Sequence, residues 1–202
     1  MAEPRVRLSA PKRRSQLLDV AGRLFAEQGF HGLSMEKLAD AAGVSKPVLY
    51  QHFPSKRRLY LALLHDAVGE LEGRLRNALE GTTDNQARVH GAISAYFDFV
   101  EDRRFRLLFV NAELNDAEVR EVVDGAFTRV ADEVGRLIAD DAGLSAESAN
   151  FLASAVRGLA TEGARWWVDH PEVDKADAVR LLSRLVWRGL GAFHPGAIPA
   201  SR

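Results

Sequence analysis

No proline occurs between Pro54 and Pro171, and across that interval the apolar residues recur at three- and four-residue spacing instead of alternating. A backbone left uninterrupted over such a length, and patterned at the helical period, predicts an all-α chain. The spacing divides it into about nine helices.

The first runs from about Pro11 to Gln28, with Leu17, Val20, Ala21, Leu24 and Phe25 in one stripe. Gly29 follows where a left-handed cap is usual, and Phe30 is expected to fold back onto the helix end. Ser34 then reads as the N-cap of a short second helix with Glu36 in its first turn, where the dipole favours an anion. Leu38, Ala39 and Ala42 face inward, Gly43 supplies a turn, and Val44 packs into the angle. Ser45 is expected to cap a third helix reaching about His52, with Pro47 tolerated in its first turn. Ser55 caps a fourth, running to about Glu80. This succession reads as a helix-turn-helix.

Charge supports that reading once its distribution is considered. The chain of 202 residues has a formal net charge of −1, but residues 1–60 hold 11 Lys and Arg against 5 Asp and Glu, a balance of +6. The rest holds 16 against 23, or −7. Cations stand at three helix starts: Lys12, Arg13 and Arg14 at the first, Lys46 at the third, and Lys56, Arg57 and Arg58 at the fourth. Each opposes its helix dipole by about 0.3–1 kcal/mol, so stability alone favours Asp or Glu there. A phosphate backbone favours the opposite, because exposed N–H groups and an added cation together make an anion site. Between these sites lie Ser45, Val48, Tyr50, Gln51 and His52, which can hydrogen-bond base edges or touch a thymine methyl in the major groove. Tyr50 and Phe53 could equally be core aromatics, and Phe53 is expected to be one.

The run RSQLLDVAGRLFAEQGFHGLSMEKLADAAGVSKPVLYQHFPSKRRLYLALL, from Arg14 to Leu64, resembles the DNA-binding domain of the TetR family of bacterial transcriptional regulators. The resemblance rests on the LF-x-x-x-GF run at Leu24–Phe30, the LADAAGVS turn and LYQHFPSK. It implies a homodimer that places each third helix in the major groove of a palindromic double-stranded operator, and a body that encloses a small-molecule effector. Carried over by position, Lys46, Pro47, Val48, Tyr50 and His52 match recognition positions, Lys56 matches a phosphate-binding lysine, and Ser34 and Lys37 match backbone-proximal ones. Glu36 departs from members that carry a cation there. The expected division is 1–10 as a flexible arm, 11–58 as the DNA-binding domain, 59–193 as the effector-binding and dimerisation domain, and 194–202 as a tail.

In the body, helices are expected at about 86–103, 117–139, 145–170 and 174–193, with a compact apolar segment at 105–110. Tyr96, Phe97, Phe105, Phe109 and Phe127 are candidate pocket aromatics, and Asn111 and Glu113 candidate polar anchors, although such a stripe is ordinarily core. The last two helices are apolar around more of their circumference than one buried face needs. Leu152, Val156, Leu159, Gly163, Trp166, Trp167, Leu182, Leu185, Val186 and Trp187 are their candidate dimer residues.

Other classes are argued against. There is no cysteine, the six histidines are scattered without an H-E-x-x-H or Glu-x-x-His pair, and no glycine-rich phosphate loop occurs. No enzyme activity, metal or cofactor is expected. The N-terminal MAEPRVRLSAPKRRSQ has no apolar run behind its cations, so a cytoplasmic chain without membrane spans is expected. The alternative is a helical interaction module that binds DNA non-specifically or an acidic partner. Within the first reading, a repressor released from its operator by an effector is expected.

Overall fold

The computed structural model describes residues 9–102 and 117–190, and every regular element among them is helical. The chain divides into two compact units, Met1–Ala67 with Arg103–Val119, and Val68–Asp102 with Arg120–Arg202.

In the first unit, α1 spans Ala10–Gly32, α2 Met35–Ala41 and α3 Lys46–His52, and α4, Lys56–Glu80, begins there. Leu17, Leu18, Ala21 and Phe25 bury the inner stripe of α1. Gly29 breaks the helical path with φ 69° and ψ 173°, a conformation a side chain would strain. The break lets Phe30 double back: its ring stacks on Phe25 at 5.9 Å, and Tyr60 of α4 meets both rings edge-on at 5.3 Å. A helical turn after Gly29 carries α1 to Gly32, beyond the expected end at Gln28.

Ser34 caps α2 as expected, its hydroxyl accepting from the Lys37 N–H at 3.2 Å. Gly43, at φ 64°, closes the helix end: its N–H donates to the Asp40 carbonyl and that of Val44 to the Ala39 carbonyl, both at 3.0 Å. Ser45 departs from expectation. Its extended backbone starts α3 and its carbonyl accepts from the Leu49 N–H, but its hydroxyl forms no capping bond. The Ser55 hydroxyl does cap α4, accepting from the Arg58 N–H at 3.2 Å. The division between the units falls between Ala67 and Val68, within α4, where Leu59, Tyr60, Leu63 and Leu64 are buried.

The second unit holds the remainder of α4, α5 at Asn85–Glu101, α6 at Ala117–Ala142 from Arg120 onward, α7 at Ala146–Asp169 and α8 at Lys175–Leu190. Gly143, at φ 64°, stops α6 three residues beyond the expected Ala139. Phe97 and Phe99 are each 1% exposed. Trp167 packs on Phe97 at 5.4 Å and donates its indole N–H to the Val173 carbonyl at 2.9 Å. A Cβ at Gly163 would stand 3.1 Å from Leu182, so glycine permits the close crossing of α7 and α8. Lys175 ties the start of α8 to Asp98 at 2.8 Å and Glu101 at 2.6 Å, and these bonds hold its pKa above the usual lysine value.

Two of the three tyrosines are strongly desolvated. Burial pushes Tyr60, and likewise Tyr96, from 10.0 up to about 12. Below pH 10 both are neutral in either state; between 10 and 12 only the unfolded chain ionises, so stability falls as pH rises through that window. Ultraviolet difference titration is expected to show two tyrosines ionising late and together with alkaline unfolding. Both ionising reversibly near 10 in folded protein would contradict their burial.

Candidate nucleic-acid interface

Helix α3 is sorted by its own packing. Leu49 and Phe53, one turn apart, are 1% and 2% exposed and anchor it inward. Lys46, Pro47, Tyr50 and Gln51 then share the outward arc, with Tyr50 46% exposed, while Val48 and His52 flank it half-buried. The exposed tyrosine stands beside an amide and an ammonium, a surface of mixed hydrogen-bonding and apolar character. It suits a groove that offers both hydrogen-bonding edges and methyl groups.

Seven of the cations around this arc have internal partners. Lys46 is ion-paired with Glu36 of α2. Arg13 bonds Gln16, which reaches the Ala42 carbonyl at 3.5 Å, and Arg14 lies over the Phe53 ring at 5.1 Å. Lys37 lies 3.5 Å from the Gln28 amide oxygen and the Gly32 carbonyl. Arg57 and Arg58 both meet Glu118 at the start of α6. Lys56 is the most tightly held: its ammonium donates to the Phe30 carbonyl at 2.7 Å and the Leu33 carbonyl at 2.8 Å, and sits 4.4 Å from the Phe30 ring centroid. A role at phosphate leaves it one N–H to give.

Within the second unit, α4, α5, α6 and α7 line a partly open cavity of about 80 Å³. Its wall is apolar, including Leu75, Leu79, Ile93, Val130 and Val134, apart from Tyr96, Arg157 and Thr161. The Arg157 guanidinium lies 5.6 Å from the centroid of the Phe127 ring. Elsewhere on this unit, Phe151, Leu159 and Trp166 of α7 are 73%, 44% and 53% exposed, and Leu181 and Leu185 of α8 61% and 60%. These are large apolar side chains without cover in a single chain.

The pattern of bacterial regulatory proteins of the tetR family matches residues 17–63, and that of a tetracyclin repressor-like C-terminal domain matches residues 74–197. The HTH-type transcriptional activator FasR of Mycolicibacterium smegmatis is 41% identical over 187 residues, 91% of this chain and 85% of that one. The chain is a TetR-family transcriptional regulator. The regulator is also 26% identical to the HTH-type transcriptional repressor KstR2 of Rhodococcus jostii, over 91% of this chain and 81% of that one. Its fold matches FadR of Bacillus subtilis, solved in complex with stearoyl-CoA, with a TM-score of 0.70 at 20% identity over 92% and 99% of the two chains. It is thus a DNA-binding helix-turn-helix protein and not an enzyme, and none of its described helices is long and apolar enough to cross a membrane.

Among the regulator's candidate residues, Ser34, Lys37, Ser45, Lys46, Pro47, Tyr50 and Gln51 are exposed, as are Lys12 and Arg14, while Arg13 is half-buried. Of the pocket candidates, Tyr96 and Phe127 line the cavity. Phe97 does not: it belongs to the core against Trp167. Phe105, Phe109, Asn111 and Glu113 lie outside the described residues, as does the 105–110 segment. On the uncovered face, Leu159, Trp166 and Leu185 stand out, whereas Val186 is 3% exposed and Trp167 is held by Phe97 and Val173, so these two serve the subunit's own core. Leu152, Val156, Gly163, Leu182 and Trp187 are half-buried. The sequence reading missed Phe151, Arg157 and Glu118. An extra apolar or charged position on an amphipathic helix gives no signal of its own.

Proposed function

We propose that the regulator works in the cytoplasm as a homodimer on a palindromic operator, and that a small apolar effector in the body controls its hold on DNA. The outward arc of α3 carries this reading: Pro47, Tyr50 and Gln51 enter the major groove, with Val48 and His52 at its edges, and Lys46 at the start of the helix meets a phosphate on its rim. Ser34, Lys37, Ser45, Lys12, Arg13, Arg14 and Lys56 contact or flank the phosphates, which set position without reading sequence. The uncovered faces of α7 and α8 pair with those of a second copy, holding two recognition helices roughly 34–36 Å apart.

The cavity suits a slim apolar chain better than a compact polar molecule, with Tyr96, Thr161 and Arg157 as the hydrogen-bonding side chains among the described residues of its wall. At about 80 Å³ it is smaller than the roughly 300–1,000 Å³ of ordinary ligand pockets, so an effector must widen it. That widening separates α4 from its neighbours, changes the spacing of the recognition helices and releases DNA. Repression relieved by the effector is the output of such a release. A second reading, activation from the same bound state, is favoured by the 41% identical relative, an activator.

The test is binding to DNA upstream of the protein's own gene, against random DNA, across a salt series, with and without stearoyl-CoA as the probe. Selectivity on the order of 10³ or more is expected, with a loss of roughly 5–150-fold when the probe binds. Equal affinity for both DNAs ends the operator reading. Tight probe binding that leaves operator affinity unchanged ends the effector reading. Transcription from the bound promoter distinguishes repression from activation.

A further inference from the structure

Lys46 begins α3, where the helix dipole disfavours a cation, and its ammonium has one strong partner, the Glu36 carboxylate of α2. The side chains are 55% and 65% exposed, so both stand in water on the face that carries Tyr50 and Gln51. A pair this exposed adds little to folding. Glu36 suits the first turn of α2, yet the Ser34 hydroxyl already caps that helix.

We propose that Glu36 is an internal competitor for the phosphate site of Lys46: its carboxylate holds the ammonium in the free protein, and a DNA phosphate displaces it when α3 seats. This rests on the DNA face described above and adds to it a residue that weakens binding by design of its charge. Two effects act together. The ion pair has to open, and once open it leaves a carboxylate on a surface pressed against a polyanion. Both act through phosphate, so they lower affinity for every sequence alike. Non-specific binding has only phosphate contacts to draw on, and with Glu36 in place it falls to where chromosomal DNA holds less of the protein. Base contacts by the α3 arc then decide where the protein resides.

Glu36→Gln keeps size and hydrogen-bonding reach while removing the charge. Its affinity for operator and random DNA is expected to rise together by roughly threefold to tenfold, with their ratio unchanged. The dependence of log affinity on log salt should steepen by up to about one unit, since Lys46 then displaces a counterion that Glu36 no longer takes up. In a Lys46→Gln background the same substitution should have a markedly smaller effect. Thermal melts establish that each variant is folded. Selectively weaker operator binding by Glu36→Gln would mean that Glu36 reads a base or aims Lys46, and overturns the proposal. Unchanged affinities and slope overturn it equally. If the wild-type protein shows no operator preference, the operator reading fails, but the comparison on random DNA still decides the role of Glu36.

Discussion

Replacing Leu181 and Leu185 together by glutamate is expected to give a monomer whose operator affinity is lower by about 10²–10⁴-fold, the gain ordinarily supplied by linking two binding modules. The two leucines lie one turn apart on α8 and are 61% and 60% exposed, beside the exposed Phe151, Leu159 and Trp166 of α7. A two-fold interface presents each substitution twice, so four carboxylates would be driven into an apolar contact. Unpaired charge buried in this way costs several kcal/mol per group, more than the interface regains elsewhere. The subunit itself should be spared, because both side chains already face water. Sedimentation velocity reads the assembly, operator titration the function, and a thermal melt the fold. A variant that stays dimeric and binds operator like the wild type would remove α8 from the interface.

Phe25→Ala is expected to destabilise the DNA-binding unit by about 3–5 kcal/mol, the range for truncating a buried aromatic. Phe25 is 3% exposed and holds together three rings that belong to different parts of the chain: its own helix, the turn beyond Gly29 at Phe30, and α4 at Tyr60. Nothing nearby can collapse into the space without moving one of those elements. At roughly 4–8 °C per kcal/mol for a unit of this size, its transition should fall by about 12–40 °C. Circular dichroism over a temperature ramp measures it. A loss of under about 1 kcal/mol would show that the three rings are not coupled.

Helix-level organisation was legible because it is written locally. Gly29 and Gly43 mark the places where φ must be positive, and Ser34 and Ser55 sit where an oxygen can satisfy an orphan N–H. The candidate recognition residues were legible from their place between the cationic helix starts, and the burial of Leu49 and Phe53 leaves Lys46, Pro47, Tyr50 and Gln51 facing outward. Long-range partners were not legible. Glu118 reaches Arg57 and Arg58 across about sixty positions, and no spacing rule connects them. The uncovered face of α7 and α8 was not legible for a different reason. Neighbouring residues on a helix point about 100° apart, so Val186 turns into the core while Leu185 meets water, and Trp167 packs inward while Trp166 does not. On helices that are apolar nearly all round, periodicity cannot separate the side that folds the subunit from the side left over.

By the resemblance Lys56 was expected to bind phosphate, and the structure makes it a fixture. A lysine carries about 2 kcal/mol of rotamer freedom, which a mobile one surrenders when it meets a phosphate. Here two carbonyls and an aromatic face have stilled the chain during folding, so that loss falls on folding and not on binding. Any phosphate met by its remaining N–H is therefore fastened through one side chain to the backbone at Phe30 and Leu33, and tension on DNA at α4 becomes tension on the turn that follows Gly29.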